Sequence, residues 1–367
     1  MRKIYSPYLP LFLITLYVLL FAAACKKDKK ETPEPVITNY ATLGLYELIS
    51  GNSRRVFVPI TQIGNVTVNY ASVFDTGSTG MTIDATDILP ASMITSNGII
   101  VAGDSVVYNG ITITSQQAVI AYGGGGASEI HEFGHLAYAT VKVGDANGSV
   151  TTSRIPIFLY YKATNITTNT PLTKHSNDVF GVGPGTSFAS AAISSPLSYF
   201  KLPTSVTNGF RLAVFNNASF STTGTYVPGL LTIGLTPNDL NASNFIMHNL
   251  SYYSVGGYSP NIPATINYNG KNVAASLLFD TGNPSITYLA DPAASTKATT
   301  LPANTTVSLT TNAGFNYQYT TTSTYDLTQV LNPNSSGEVR SIFSIDFFLA
   351  NEYLLDYQNH RIGLKNN

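Results

Sequence analysis

From Asn39 onward the chain runs in short alternating or β-branched stretches broken by Gly, Asn and Pro; Val56 to Ile60, Val66 to Phe74, Gln117 to Tyr122 and Ala139 to Val143 are examples. A period of two sends successive side chains to opposite faces of a strand, and the interrupting residues are those that accept tight turns. Stretches with a helical period are scarce. Ala189 to Tyr199 and Thr236 to Ala242 are the candidates, the second opened by Thr236-Pro237, a capping hydroxyl followed by a residue of preset φ. The pattern predicts a mostly β protein with a few short helices.

One internal repeat stands out. Val73-Phe74-Asp75-Thr76-Gly77-Ser78-Thr79-Gly80-Met81-Thr82 matches Leu278-Phe279-Asp280-Thr281-Gly282-Asn283-Pro284-Ser285-Ile286-Thr287, and a β-rich run with a Gly-Asn or Asn-Gly pair precedes each copy. A lone Asp-Thr-Gly commonly marks a polar turn and nothing more. Two copies, each after an apolar pair, point to duplicated lobes. Two carboxylates brought within hydrogen-bond distance cannot both ionise readily, so they hold one proton between them and can serve as base and acid together.

These residues resemble the pepsin family of aspartic proteases, in which each lobe offers one Asp-Thr-Gly from a turn at the end of a buried strand. The resemblance implies a two-lobed β fold with a central cleft, catalytic Asp75 and Asp280, and supporting loops Thr76, Gly77, Ser78, Thr281 and Gly282. Three further segments carry it. Ile120-Ala121-Tyr122-Gly123-Gly124-Gly125-Gly126 and the run Tyr138 to Gly144 look like a flap hairpin and its returning strand, with Tyr122 and Gly123 at the substrate. Asn177 to Gly183 is similar to the hydrophobic-hydrophobic-Gly element behind the first Asp loop. Ile342 to Phe348, then Leu354 to Tyr357 and Arg361 to Leu364, look like the matching element and closing strands of the second lobe. The departures are Ser344 where that element usually has Gly, Asn283 where Thr or Ser is common, and the absence of any Trp to bond the flap tyrosine. Ser344 is expected to strain the packing beneath Asp280.

The resemblance implies an endopeptidase that hydrolyses polypeptides bound in extended form, without metal or organic cofactor. An alternative keeps both triplets as folding elements of an inactive relative that binds peptide or glycan in the cleft. Against it, a protonated Asp pair at a lobe interface is a costly feature to keep without use.

A rival motif is His131-Glu132-Phe133-Gly134-His135, a literal His-Glu-x-x-His. On a helix its two histidines would share a face and ligate zinc, leaving Glu132 as general base. The glycines at 123 to 126 and Gly134 oppose a helix, Tyr138 to Gly144 reads as a strand, and no third ligand follows at a suitable spacing. An exposed, charged flap tip accounts for the same residues. His175, His248 and His360 read as solvated or satisfied surface side chains, and Asp346 and Asp356 as closing-strand or turn residues.

With 367 residues, 11% charged and a formal net charge of -1, the chain has room for two lobes and no basic surface to track nucleic acid. Its first residues change the picture most. Met1-Arg2-Lys3, an apolar stretch from Leu9 to Phe21 and Ala22-Ala23-Ala24 precede Cys25, the only cysteine. This resembles a bacterial lipoprotein leader, which implies cleavage before Cys25, acylation of its thiol and a membrane anchor. Lys26 lies where an Asp would retain the protein at the inner membrane, so the outer membrane, facing periplasm or exterior, is the expected location. Residues 1–24 are then the signal peptide, 25–36 the lipidated cysteine with a charged tether, 37–236 the N-terminal lobe and 237–367 the C-terminal lobe. Only the tether separates Cys25 from the first strand, which aligns the chain with prokaryotic members made without a pro-segment.

Overall fold

The structure is a computed structural model that describes residues 38–123, 129–241 and 244–367. Cys25, the leader and the charged tether lie outside these residues, as do Gly124 to Gly126 and Ala242.

The repeat seen in the sequence is a repeat of backbone. Strands β1 (Ala41–Ser50), β2 (Ser53–Ile63), β3 (Val66–Asp75) and β4 (Thr79–Asp84) open the large mixed sheet, and Gly64 at φ 56° turns β2 into β3. In the second sheet Ile262–Tyr268 and Lys271–Phe279 pair antiparallel around Asn269 (φ 49°) and Gly270 (φ 73°). Positive φ at both central residues suits a two-residue hairpin, because its twist matches that of the flanking strands. Each hairpin delivers its second strand, and the Asp-Thr-Gly that ends it, toward the other sheet.

The hydrophobic-hydrophobic-Gly segments hold those strand ends. Val179–Val182 pairs parallel with β3, setting Gly181 beside Asp75, and antiparallel with β4. Ser341–Phe343 does the same between Lys271–Phe279 and Ile286–Ala290. Packing from other elements buries both faces of these strand ends: Phe74 stacks on Phe180, and Phe279 lies 4.1 Å from Phe347, centroid to centroid. The strand ends carrying the aspartates are therefore anchored in core.

Helix is scarce, as the pattern predicts, but one stretch differs. Between Ala189 and Tyr199 only Pro196–Tyr199 forms a 3-10 turn, capped by Ser195, because Ser and Pro interrupt the run. Pro237–Asn241 is a short α-helix. The closing strands also differ from expectation. Asn351–Asp356 pairs with Thr207–Leu212, and Arg361–Asn366 with Ile246–Asn249, so they complete the large sheet rather than the second one. Alternating patterns specify strands but not partners.

Candidate active site

Both triplets fold by the same local bonds. Asp75 Oδ1 accepts from the amides of Gly77 (2.7 Å) and Ser78 (3.2 Å), and Asp280 Oδ1 from those of Gly282 (2.8 Å) and Asn283 (3.2 Å). A carboxylate bonded to the backbone two and three residues ahead closes a turn by itself. The threonines then join the turns. Thr76 N donates to Thr281 Oγ1 and Thr281 N to Thr76 Oγ1, both at 3.0 Å. Each hydroxyl passes its own proton to the strand opposite, Thr76 to Phe279 O and Thr281 to Phe74 O. Every donor in this buried junction is used.

The glycines bring the carboxyl groups together. A Cβ on Gly77 would stand 2.5 Å from Asp280 Oδ1, and one on Gly282 would stand 2.7 Å from Asp75 Cγ. Any side chain at either place would push the opposing aspartate away. The two carboxyls thus face each other. Asp280 keeps some open surface, yet protein packs around it closely enough that burial holds its proton far above the usual carboxylate range, reinforced by the charge of Asp75 and a hydrogen bond with it.

The half-sites are unequal. Ser78 Oγ donates to Asp75 Oδ2 at 2.5 Å, whereas Asn283 turns its amide away, to Ile286 O at 2.7 Å. The residue beneath each loop accounts for this. A Cβ on Gly181 would lie 2.8 Å from Ser78 Oγ, so a hydroxyl beside the aspartate requires glycine below it. Beneath Asp280 stands Ser344, whose Cβ occupies the corresponding space. Its amide and hydroxyl bond Thr287 and its hydroxyl caps Asp346 N, so it is accommodated without the expected strain. The two departures from the family pattern accommodate each other.

Tyr122 ends the strand Ile111–Tyr122, and Gly123 follows it, exposed. The Tyr122 hydroxyl faces Thr82 on β4, and burial, with the charges of Glu132 and Asp75, keeps it protonated well beyond the normal tyrosine range. Thr82 is the residue that the Tyr122 hydroxyl meets in this chain, which has no tryptophan. Its hydroxyl also faces the Glu132 carboxyl, although Thr82 Oγ1 and Glu132 Oε2 do not close to a full hydrogen bond with any partner.

The His-Glu-x-x-His segment is part of the strand Ile130–Ala139, paired with Ile111–Tyr122 and Ile155–Asn165. At about 3.4 Å per residue the two histidines lie roughly 14 Å apart along the strand, and Glu132 points to the face opposite both. His135 is buried, its Nε2 accepting from Ile99 N and its Nδ1 donating to Thr114 O. Neither Glu132 nor His135 is the exposed flap-tip group the sequence led us to expect. Glu132 is fully buried, accepts from Asn177 Nδ2 at 2.7 Å, and is pushed up to about 8 by burial and by Asp178 and Asp84, so it is a neutral acid over most of the pH range. Its hydrophobic strand neighbours carried no signal of this.

Among the other candidates, His175 is wedged between Asp178 and Thr86 O and stacks on Tyr70, and His248 is buried between Ile362 O and Thr311 Oγ1. Both are satisfied, though neither is a surface group. Asp346 is buried in an ion pair with Arg54, and Asp356 binds Asn359 and Arg361. Sequence reasoning missed Thr82, Asn177 and two arginines near the dyad. Arg55 lies within electrostatic reach of both aspartates, and Arg340 of Asp280.

At the level of sequence, no family model and no curated protein matches the chain. Among solved structures it is similar to the aspartic proteinase from Irpex lacteus, with TM-score 0.54 and 17% identity over 89% of this chain and 97% of that one. With that identity the likeness speaks for the fold alone, which is the two-lobed, mostly β fold of the pepsin-like aspartic proteinases.

Proposed function

We propose that the protein is an aspartic-type endopeptidase acting on polypeptides in extended conformation. The observation that carries this reading is the pair of carboxyls facing each other with unequal support. The Ser78 hydroxyl donates a hydrogen bond to Asp75, while burial keeps the proton on Asp280. Ionised Asp75 takes a proton from a water, the water oxygen bonds to the peptide carbonyl carbon, and Asp280 gives its proton to the carbonyl oxygen. Collapse then breaks the C–N bond. The proton held by Asp75 goes to the departing amine, and Asp280 recovers one from a hydroxyl of the intermediate. Tyr122, leaning on Thr82, closes over the bound chain, whose backbone pairs in the manner of an added strand.

Residues 38–367 form a compact unit of their own, so a soluble form lacking residues 1–36 suits the test. Denatured protein is offered across pH to this form, to Asp75→Asn, to Asp280→Asn and to chelator-treated enzyme. The expected result is cleavage lost in both Asn variants and retained with chelator. Loss with chelator alone would revive the zinc reading, and no cleavage at any pH would leave a cleft that binds without cutting. The missing hydroxyl beside Asp280 is the observation favouring that second reading.

We further propose that acylated Cys25 anchors the protein in the outer membrane of a bacterium. Incorporation of labelled fatty acid, abolished by Cys25→Ser, is the expected result.

A further inference from the structure

Two adjacent arginines in β2 have opposite fates. Arg54 is buried and bonded to Asp346 (2.8 Å) and Asn217. Strand alternation sends Arg55 to the other face. In the antiparallel register Phe57 opposite Val73 is the last pair on this side, and Arg55 lies two residues before it on β2 as Asp75 lies two residues after it on β3, so both stand at the same end of the strand pair. The backbone of Arg54 meanwhile accepts the second loop, its amide donating to Pro284 O at 2.9 Å. Arg55 is therefore placed at the meeting of the two loops, half-buried and attracted by both aspartates.

What separates Arg55 from the other cation is its lack of a partner. Arg340 is matched by Glu338 through two bonds of 2.8 Å. Among the described residues the Arg55 guanidinium has no hydrogen bond or ion pair, so its five donors are unused in a partly desolvated position. A guanidinium in that state gains most from a carboxylate that can accept two parallel bonds. An extended chain advances about 3.3 Å per residue, so carboxylates within about three residues of the scissile bond come within reach.

We propose that Arg55 is a specificity-determining residue that selects substrates bearing a carboxylate close to the scissile bond, as an Asp or Glu side chain or as the free chain terminus. The proposal rests on the peptidase reading for its substrate, but its binding arm does not depend on cleavage. It also gives the cleft a charge rule that the uncharged glycines and threonines around the dyad do not supply.

The test uses the full chain in detergent and matched peptides with Glu or Gln at each of three positions on either side of a neutral cleavage site. Free and amidated C-termini are compared as well. A preference of roughly tenfold in kcat/KM for the carboxylate is expected at one position or at the free terminus. In Arg55→Met that ratio falls toward one, and Arg55→Lys keeps part of it. In parallel, anisotropy measures binding of fluorescent Glu and Gln peptides to Asp280→Asn, with the same ratio expected. A wild-type ratio near one at every position and at the terminus overturns the proposal, as does a ratio that Arg55→Met leaves unchanged. Carboxylate-selective binding without cleavage would instead defeat the peptidase reading and leave Arg55 in its role; cleavage without selection would do the reverse.

Discussion

Ser78 and Asn283 hold equivalent places in the two turns, but only the first gives its aspartate a side-chain hydrogen bond, while burial keeps the proton on Asp280. Asp280 must be protonated to act as the acid, so activity is lost as pH rises through its ionisation, which burial and Asp75 have moved upward. A hydroxyl donated to Asp280 would favour its charged form and bring that loss to lower pH. Asn283→Ser combined with Ser344→Gly supplies both the hydroxyl and the space for it. The upper limb of the pH–rate profile is expected to move down by about one pH unit. Asn283→Ser alone meets the Ser344 Cβ and should not reproduce the shift. A double variant with an unmoved limb would remove residue 283 from the account.

The strand Ile130–Ala139 shows how one element carries two faces of different chemistry. On one face His131 bonds Glu129 and His135 bonds Ile99 N and Thr114 O, while on the other Glu132 is turned toward Thr82 and Asp84 of β4, Tyr160, Asn177, Asp178 and the Tyr122 hydroxyl. Because Glu132 binds its proton more tightly folded than unfolded, its contribution favours the folded state below pH about 4.5 and is lost as pH rises toward about 8. The loss over that interval is at most roughly 5 kcal/mol, at about 1.4 kcal/mol per pH unit. Glu132→Gln is isosteric with the neutral acid and cannot ionise. Urea denaturation is expected to find it close to wild type at pH 4 and more stable at pH 8. Equal pH dependence in the two proteins would mean that Glu132 ionises freely and that relaxation, not burial, governs this site.

For the molecule as a whole, the lobes are tied by bonds that leap most of the chain. Arg54 of β2 pairs with Asp346, two residues after the Ser344 that lies beneath the second Asp loop, and both side chains are buried. The net worth of such a pair against an apolar replacement is small, but breaking it strands a charge. Arg54→Met should lower unfolding free energy by about 3 kcal/mol, and adding Asp346→Asn should restore part of the loss. Chemical denaturation of the single and double variants checks the coupling. Additive losses would place the two residues in separate structural roles. The closing strands 351–366 act with this pair, since they return the chain from the second sheet to the first.

The features legible in the sequence are those built from near neighbours. A carboxylate that bonds the amides two and three residues ahead, a two-residue hairpin with Asn-Gly, and alternation along β2 and β3 need only adjacent residues, so the paired turns and the β character could be read directly. The repeat also signalled that the two turns are equivalents. What required the tertiary structure were relations between segments whose spacing carries no information about contact. The sequence could not reveal that Asn283 answers Ser344, that Thr82 stands beneath Tyr122, or that Glu132 is buried rather than exposed. Nor could it tell which of two adjacent arginines would find a partner and which would face the dyad. A turn is determined by local bonds, whereas burial and charge at the paired Asp-Thr-Gly loops depend on which distant strands pack around them.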